Sequence, residues 1–239
     1  MKNKFWNFTQ QDGAARRLRL EGEISQETWL GDEVTPAAFR AELFAGEGDL
    51  VVAVNSPGGD VFAAAQIYDM LLEYPGKVTV YIDGLAASAA SVVSMAGEEV
   101  VISPVSCIMI HNPMTLAIGD SEEMQKAAAM LDEVKESIMN AYALRTGIRR
   151  SRISDMMTAE TWMNARKAVE LKFADRIGTP EDGGGDAPEA MMFSRAAVTN
   201  SLLSKIQPKQ KPVPQGTNIT AAMERLNFLD GGSHHVKTA

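Results

Sequence analysis

The sequence is poor in the features that disulfide-bonded and nucleic-acid-binding proteins need. Among its 239 residues there is one cysteine, Cys107, so no internal disulfide can form. Basic residues are in the minority, since 23 Lys and Arg stand against 31 Asp and Glu and the formal net charge is -8. An acidic chain repels phosphate backbones and anionic lipid headgroups. We therefore expect no nucleic-acid partner and no membrane-surface role.

Long apolar runs are missing as well. The mildly apolar stretch from Leu85 to Gly97 is too short and too rich in serine to span a bilayer. The N-terminus carries Lys2 and Lys4 but no continuous apolar segment of the length that a secretory signal requires. These absences predict a cytoplasmic protein without a membrane partner.

Strand and helix patterns alternate along most of the chain. Short apolar or alternating runs predict strands at 18–24, 50–54, 78–82, 100–102 and 107–110. Capping residues and helical spacing predict helices at 36–43, 61–72, 86–96, 121–146, 152–157 and 165–171. Asn55 to Gly59 and Asp83-Gly84 carry turn residues that we expect to end the second and third strands. Such alternation is typical of an α/β layered domain.

The composition changes after Thr179. A glycine-rich segment, 182–186, is followed by a lysine-containing segment with prolines at 208, 212 and 214. Short amphipathic pieces lie at 196–206 and 220–229, and from Arg195 onward six basic residues stand against two acidic ones. We therefore predict a globular domain over 1–179 and a flexible linker with a basic tail over 180–239.

Two candidate reactive side chains follow predicted strands. Ser88 begins a helix of small residues, which would leave its hydroxyl accessible to a substrate backbone. A serine hydroxyl is a weak nucleophile unless a base, usually histidine, takes its proton. Of the three histidines, His234 and His235 lie in the predicted tail, whereas His111 ends an apolar strand. Because loops at strand ends gather at one edge of an α/β sheet, we expect Ser88 and His111 to meet.

A glycine pair supplies the third element of acyl-transfer chemistry. Backbone N–H groups of a Gly-Gly turn and of the residue after the nucleophile can bind a developing oxyanion. Gly59 and Ala89 are the candidates. Each feature taken alone is more common as ordinary structure: a packing serine, a histidine that bonds the backbone, a plain turn. Together they favour a serine nucleophile acting on a carbonyl.

Four segments in the same order resemble the proteolytic subunit of Clp protease. They are 55–59 (NSPGG), 84–88 (GLAAS), 108–113 (IMIHNP), and the pair 165–170 (ARKAVE) and 174–175 (AD). The resemblance spans about 18–178. It implies an α/β spiral of repeated ββα units shared with the crotonase superfamily, and a serine endopeptidase domain over 1–179. It also implies Ser88 as nucleophile, His111 as base, and Gly59 and Ala89 as oxyanion donors, with no metal and no organic cofactor.

The third member of the implied triad departs from the family pattern. Aligning Trp162-Met163-Asn164-Ala165 with that pattern places Glu160 where the family usually has aspartate. A glutamate can orient and stabilise an imidazolium with a longer reach, and Asp155 is the alternative carboxylate. Ala90 stands where the family commonly has glycine, which would narrow the cleft while leaving the N–H of Ala89 in place.

The resemblance also sets expectations about partners. Family members assemble into homo-oligomeric rings and act on protein or peptide substrates. The segment 31–36 and Glu160 are similar to the phage and prophage branch of head-maturation proteases, which implies a capsid or scaffold partner; a degradative subunit would instead work with an AAA+ unfoldase. Two other functions stay open, namely a crotonase-type enzyme acting on acyl-CoA thioesters and a catalytically inactive assembly protein.

Overall fold

A mixed sheet of eight strands forms the centre of the computed structural model, which describes residues 4–9, 15–25 and 36–178. The predicted linker and tail, 180–239, and the segment 31–35 lie outside the described residues. None of the described helices is both long enough and apolar enough to cross a membrane.

The elements follow one another in an alternating order. The strands are β1 (Trp6–Thr9), β2 (Arg16–Ile24), β3 (Leu50–Gly59), β4 (Val78–Ala87), β5 (Glu99–Ile102), β6 (Cys107–Ile110), β7 (Thr161–Asn164) and β8 (Arg176–Ile177). The helices are α1 (Pro36–Leu43), α2 (Val61–Leu72), α3 (Ala89–Ser94), α4 (Ser121–Thr146), α5 (Arg150–Thr158) and α6 (Ala165–Glu170). The α/β prediction is confirmed.

Strand β4 has two different neighbours on one side. The sheet runs β1-β2-β3-β4-β5-β8, and β2 to β5 and β8 pair in parallel while β1 is antiparallel. The first half of β4 pairs with β5, whereas its last three residues, Leu85 to Ala87, pair in parallel with β6. Strand β7 then runs antiparallel beside β6. This change of neighbour brings the ends of β4, β6 and β7 together.

The main core lies on one face of the sheet. Alternate residues of the central strands are fully buried and pack with α2, α3 and the end of α4; they include Leu18, Leu20, Val52, Val54, Val80 and Ile82. Helix α4 is mostly exposed, and its buried residues, Met139, Ala141, Tyr142 and Thr146, all lie towards its C-terminus. The core therefore fixes the region around α3, where Ser88 lies.

Two of the predicted strand ends were wrong. Strand β3 continues through Asn55 to Gly59, and β4 continues past Asp83-Gly84 to Ala87. Both extensions are paired: Gly58 and Gly59 pair with β2, and Ser56 pairs with Ala86. The turn-forming residues mark irregular register in these strands, so ladder pairing outweighs their local preference for turns. Strands β1, β7 and β8 were not predicted from the sequence.

Helix α2 begins directly after the glycine pair, with Asp60 as its N-cap. One carboxylate oxygen of Asp60 accepts hydrogen bonds from the N–H groups of Phe62 and Ala63, both at 2.8 Å. We expect Asp60→Ala to lower the free energy of unfolding by about 1 kcal/mol, because two helix N–H groups lose their partner. Asp60→Asn should retain most of this stability. Denaturant titration of the three proteins measures the difference.

A matched cap elsewhere provides the control. Asp120 caps α4 in the same manner, accepting from Glu122 and Glu123, but the first half of α4 buries little. Asp120→Ala should therefore change global unfolding less than Asp60→Ala. Equal stability of Asp60→Ala and Asp60→Asn would show that the cap does not hold the start of α2.

Candidate active site

Ser88 lies at a sharp junction between β4 and α3. Its backbone has φ 54° and ψ −126°, a positive-φ conformation outside the allowed regions for residues with a side chain. Such a conformation costs about 1–3 kcal/mol and persists only where surrounding contacts determine it. The N–H of Ser88 donates to the carbonyl of Met109 at 2.9 Å, and its carbonyl accepts from the N–H of Ser91 at 2.9 Å. The N–H and the carbonyl of Ser88 are thus both held by hydrogen bonds.

His111 lies beside Ser88 because their strands are neighbours. Strands β4 and β6 are parallel, with Ala87 opposite Met109, so both chains leave the sheet at the same edge. The Nε2 atom of His111 and the Oγ atom of Ser88 are 2.8 Å apart. In this geometry a neutral imidazole that carries its proton on Nδ1 accepts a hydrogen bond at Nε2 from the Ser88 hydroxyl. The pair has the contact that a nucleophile and its base require.

Opposing effects act on the pKa of His111. Burial lowers the pKa of His111 from its ordinary value because desolvation disfavours the imidazolium, while the charge of Glu160 raises it. Burial is the larger of the two effects. The imidazole consequently remains neutral, and able to accept a proton, to a lower pH than an exposed histidine would.

The antiparallel pairing of β6 and β7 makes Glu160 and His111 neighbours in the register. Ile110 pairs with Thr161, so the next positions outward along the two strands are His111 and Glu160. The indole N–H of Trp162 donates to Oε1 of Glu160 at 3.0 Å, which restricts the carboxylate. The alternative carboxylate, Asp155, is exposed on α5. Of the two, Glu160 is the one whose charge acts on His111.

The first glycine of the pair, Gly58, packs directly against the nucleophile junction. A Cβ atom at Gly58 would come within 2.6 Å of the Ala87 carbonyl oxygen and 2.8 Å of the Ser88 Cβ. Its φ of 94° is also unfavourable for other residues. The N–H of Gly58 donates to Ser56 Oγ at 3.1 Å. Gly58 thus allows β3 to approach the Ser88 junction closely. Our sequence analysis missed this role, although two consecutive glycines after Pro57 could have indicated it.

The second glycine, Gly59, is held in the ladder between β2 and β3. A Cβ atom there would lie 2.0 Å from the carbonyl oxygen of Ile24, so no side chain fits. A Cβ at Gly58 would be 2.9 Å from the nitrogen of Ala89. The glycine pair and the Ser88-Ala89 peptide are therefore neighbours, as an oxyanion site made from both would require.

The neighbouring Ala90 does not line the cleft. It is 1% exposed and belongs to the main core, so its methyl group packs inward. The narrowing expected from an alanine at this position is not found. Within the described part of the chain, no cluster of three or more His, Cys, Asp or Glu side chains is placed to hold a metal ion.

Comparisons with known proteins point to one family. The family model described as Clp protease matches residues 9–181. The ATP-dependent Clp protease proteolytic subunit of Bacteroides fragilis is 30% identical over 178 residues, covering 72% of this chain and 85% of the relative. Subunit 2 of Treponema denticola is 28% identical over 164 residues, covering 68% and 81%.

Solved structures show the same fold. A ClpP1 point mutant from Listeria monocytogenes superposes with a TM-score of 0.60 and 24% identity, covering 70% of this chain and 93% of that one. The described residues therefore have the fold shared by Clp proteolytic subunits and crotonases, as the sequence predicted. Since the family model spans well over half of the sequence, the chain belongs to the Clp protease family, a family of serine-type peptidases.

Proposed function

We propose that the chain is a serine endopeptidase that hydrolyses peptide bonds through an acyl-enzyme on Ser88. The observation that carries the proposal is the 2.8 Å contact between Ser88 Oγ and His111 Nε2 at a strained strand-to-helix junction. A strained turn that presents a serine to a base is a recurrent arrangement in enzymes that use a serine nucleophile.

Acylation uses the two side chains in sequence. Ser88 Oγ attacks the substrate carbonyl carbon while its proton moves to His111 Nε2. The tetrahedral oxyanion accepts hydrogen bonds from the N–H groups of Gly59 and Ala89. His111 then gives its proton to the amine nitrogen, the C–N bond breaks, and the acyl group stays on Ser88. Loss of one oxyanion donor would cost roughly 10²- to 10³-fold in kcat.

Deacylation repeats these steps with water. His111 takes a proton from the water that attacks the acyl carbon, and returns it to Ser88 Oγ as the ester bond breaks. In both halves His111 becomes an imidazolium, and the carboxylate of Glu160 stabilises that charge and keeps the ring oriented. The hydrogen bond from Trp162 to Glu160 supports the carboxylate in this role. The scheme needs no metal and no organic cofactor.

The proposed substrates and partners follow the relatives. Relatives are named as proteolytic subunits of an ATP-dependent protease, and we propose that this chain acts on protein or peptide substrates as a homo-oligomeric ring in the cytoplasm. Glutamate at position 160 instead of aspartate favours the phage branch, whose substrate would be a capsid or scaffold protein. Incubation of the purified protein with a purified capsid or scaffold protein should yield discrete cleavage products without ATP. Complete degradation that requires ATP and an AAA+ partner would favour the degradative role.

Covalent labelling tests the proposed nucleophile. Wild-type protein treated with a fluorophosphonate should gain one adduct per chain, mapped to Ser88 by mass spectrometry, because the base increases the reactivity of that hydroxyl. Ser88→Ala should give no adduct, and His111→Ala should label at least a hundredfold more slowly, since general-base catalysis contributes about 10²- to 10⁴-fold. Ser94→Ala, which removes a buried serine of the same helix, should label like wild type.

Two results would contradict the labelling prediction. An adduct that survives in Ser88→Ala would place the reactive residue elsewhere. Binding of acyl-CoA thioesters by a wild-type protein that does not label would favour the crotonase-type alternative.

The pH dependence of kcat/KM tests the role of Glu160. Its charge raises the pKa of His111, so Glu160→Gln should lower that pKa and move the acid limb of the profile to lower pH. The plateau should fall by about 10²- to 10⁴-fold because the imidazolium loses its counter-charge. Asp155→Asn is the control. It should change neither the position of the acid limb nor the height of the plateau, since Asp155 is exposed on α5. A limb that moves to higher pH in Glu160→Gln would contradict this role.

A further inference from the structure

The carbonyl oxygen of Ser88 receives two hydrogen bonds from one residue. The N–H of Ser91 donates to it at 2.9 Å, and the hydroxyl of Ser91 donates to it at 2.6 Å. Ser91 is fully buried, with 0% exposure. The second bond is not part of the helix ladder and therefore acts on the nucleophile junction specifically.

The hydroxyl of Ser91 is itself bound by a tyrosine from a distant helix. The Tyr142 hydroxyl, on α4, lies 2.7 Å from Ser91 Oγ. A serine hydroxyl has a single hydrogen, and that of Ser91 is directed at the Ser88 carbonyl, so Tyr142 is the donor in this contact. Burial also raises the pKa of Tyr142, which keeps the phenol protonated. The result is a directed chain of donors from Tyr142 to Ser91 to the carbonyl of Ser88.

The position of Tyr142 is fixed by its surroundings. It is 1% exposed, its ring packs on Phe173 with centroids 5.6 Å apart, and its own carbonyl accepts from Thr146 Oγ1 at 2.7 Å. A buried hydroxyl without a partner is costly, so the contact with Ser91 also satisfies this phenol. The donor chain thus starts from a rigid point of the core.

We propose that Tyr142 and Ser91 are positioning residues that aim and polarise the Ser88-Ala89 peptide. A peptide unit is planar, so fixing its carbonyl also fixes the direction of the N–H at the other end, which is that of Ala89. Hydrogen bonds to a carbonyl polarise the peptide and strengthen its N–H as a donor. Ala89 is one of the two oxyanion donors in the proposed function, on which this inference rests.

The same chain of donors accounts for the strained backbone. Ser88 has φ 54°, and relaxing it would rotate the peptide and break the bonds that its carbonyl receives. Helix α4 therefore acts on the oxyanion site from the side opposite to the substrate, without touching the reacting atoms.

Kinetics of Tyr142→Phe test the proposal, because this variant removes only the hydroxyl. We expect kcat on a fluorogenic peptide to fall about three- to tenfold, less than for loss of a whole donor, with KM nearly unchanged. The affinity for a peptide aldehyde, whose adduct carries the oxyanion, should fall by the same factor. The acid limb of the pH profile should stay in place, because His111 is not affected.

A second variant separates positioning from packing. Ser91→Ala removes the direct donor and should reduce kcat more than Tyr142→Phe does. In the double variant the effects should not add, because Tyr142 acts only through Ser91. The control removes the same group elsewhere: in Tyr74→Phe the lost hydroxyl is one that donates to the carbonyl of Gly48 at 2.9 Å. Tyr74→Phe should keep kcat and aldehyde affinity within about twofold of the wild-type values, since a remote hydrogen bond affects stability and not the oxyanion.

Different results overturn the two proposals. If wild-type protein labels on Ser88 and cleaves the peptide, but Tyr142→Phe and Ser91→Ala both keep wild-type kcat and aldehyde affinity, the positioning role is wrong and the proposed function stands. Additive losses of kcat in the double variant, or effects confined to KM, would also overturn the positioning role. Wild-type protein that neither labels nor cleaves would overturn the proposed function itself.

Discussion

The unfavourable backbone of Ser88 is the constraint on which the site depends. Three separate elements hold it: β6 through the carbonyl of Met109, α3 through Ser91, and α4 through Tyr142. The cost of the conformation, about 1–3 kcal/mol, is offset by hydrogen bonds that only this geometry allows. The serine side chain thereby faces His111, and the nitrogen of the following residue, Ala89, lies beside Gly58.

The sheet supplies the rest of the geometry. Because β4 exchanges β5 for β6 as its neighbour, the strand that carries Ser88 ends beside the strand that carries His111. Antiparallel β7 then extends the register to Glu160. Residues far apart in sequence thus converge through backbone pairing, and few direct side-chain contacts are needed to assemble the site.

Much of the fold could be predicted because periodicity and caps are local signals. The bounds of α2 and α4 and the position of β6 agree with the sequence analysis. The ends of β3 and β4 could not be predicted, because their turn-forming residues remain in the ladder by pairing with distant strands. The neighbourhood of Glu160 depends on β7, a strand that carries no clear pattern. The contact between Ser91 and Tyr142 joins residues 51 positions apart, and only tertiary packing could reveal it.

The central claim, that Ser88 and His111 act together beneath two peptide N–H groups, is tested most directly by a crystal structure of the protein treated with a peptide chloromethyl ketone. The account predicts two covalent bonds: Ser88 Oγ adds to the ketone carbon, and His111 Nε2 displaces chloride from the methylene. The resulting oxyanion should lie within hydrogen-bond distance of the N–H groups of Gly59 and Ala89. Alkylation at another residue, or an inhibitor oxygen pointing away from both N–H groups, would contradict it.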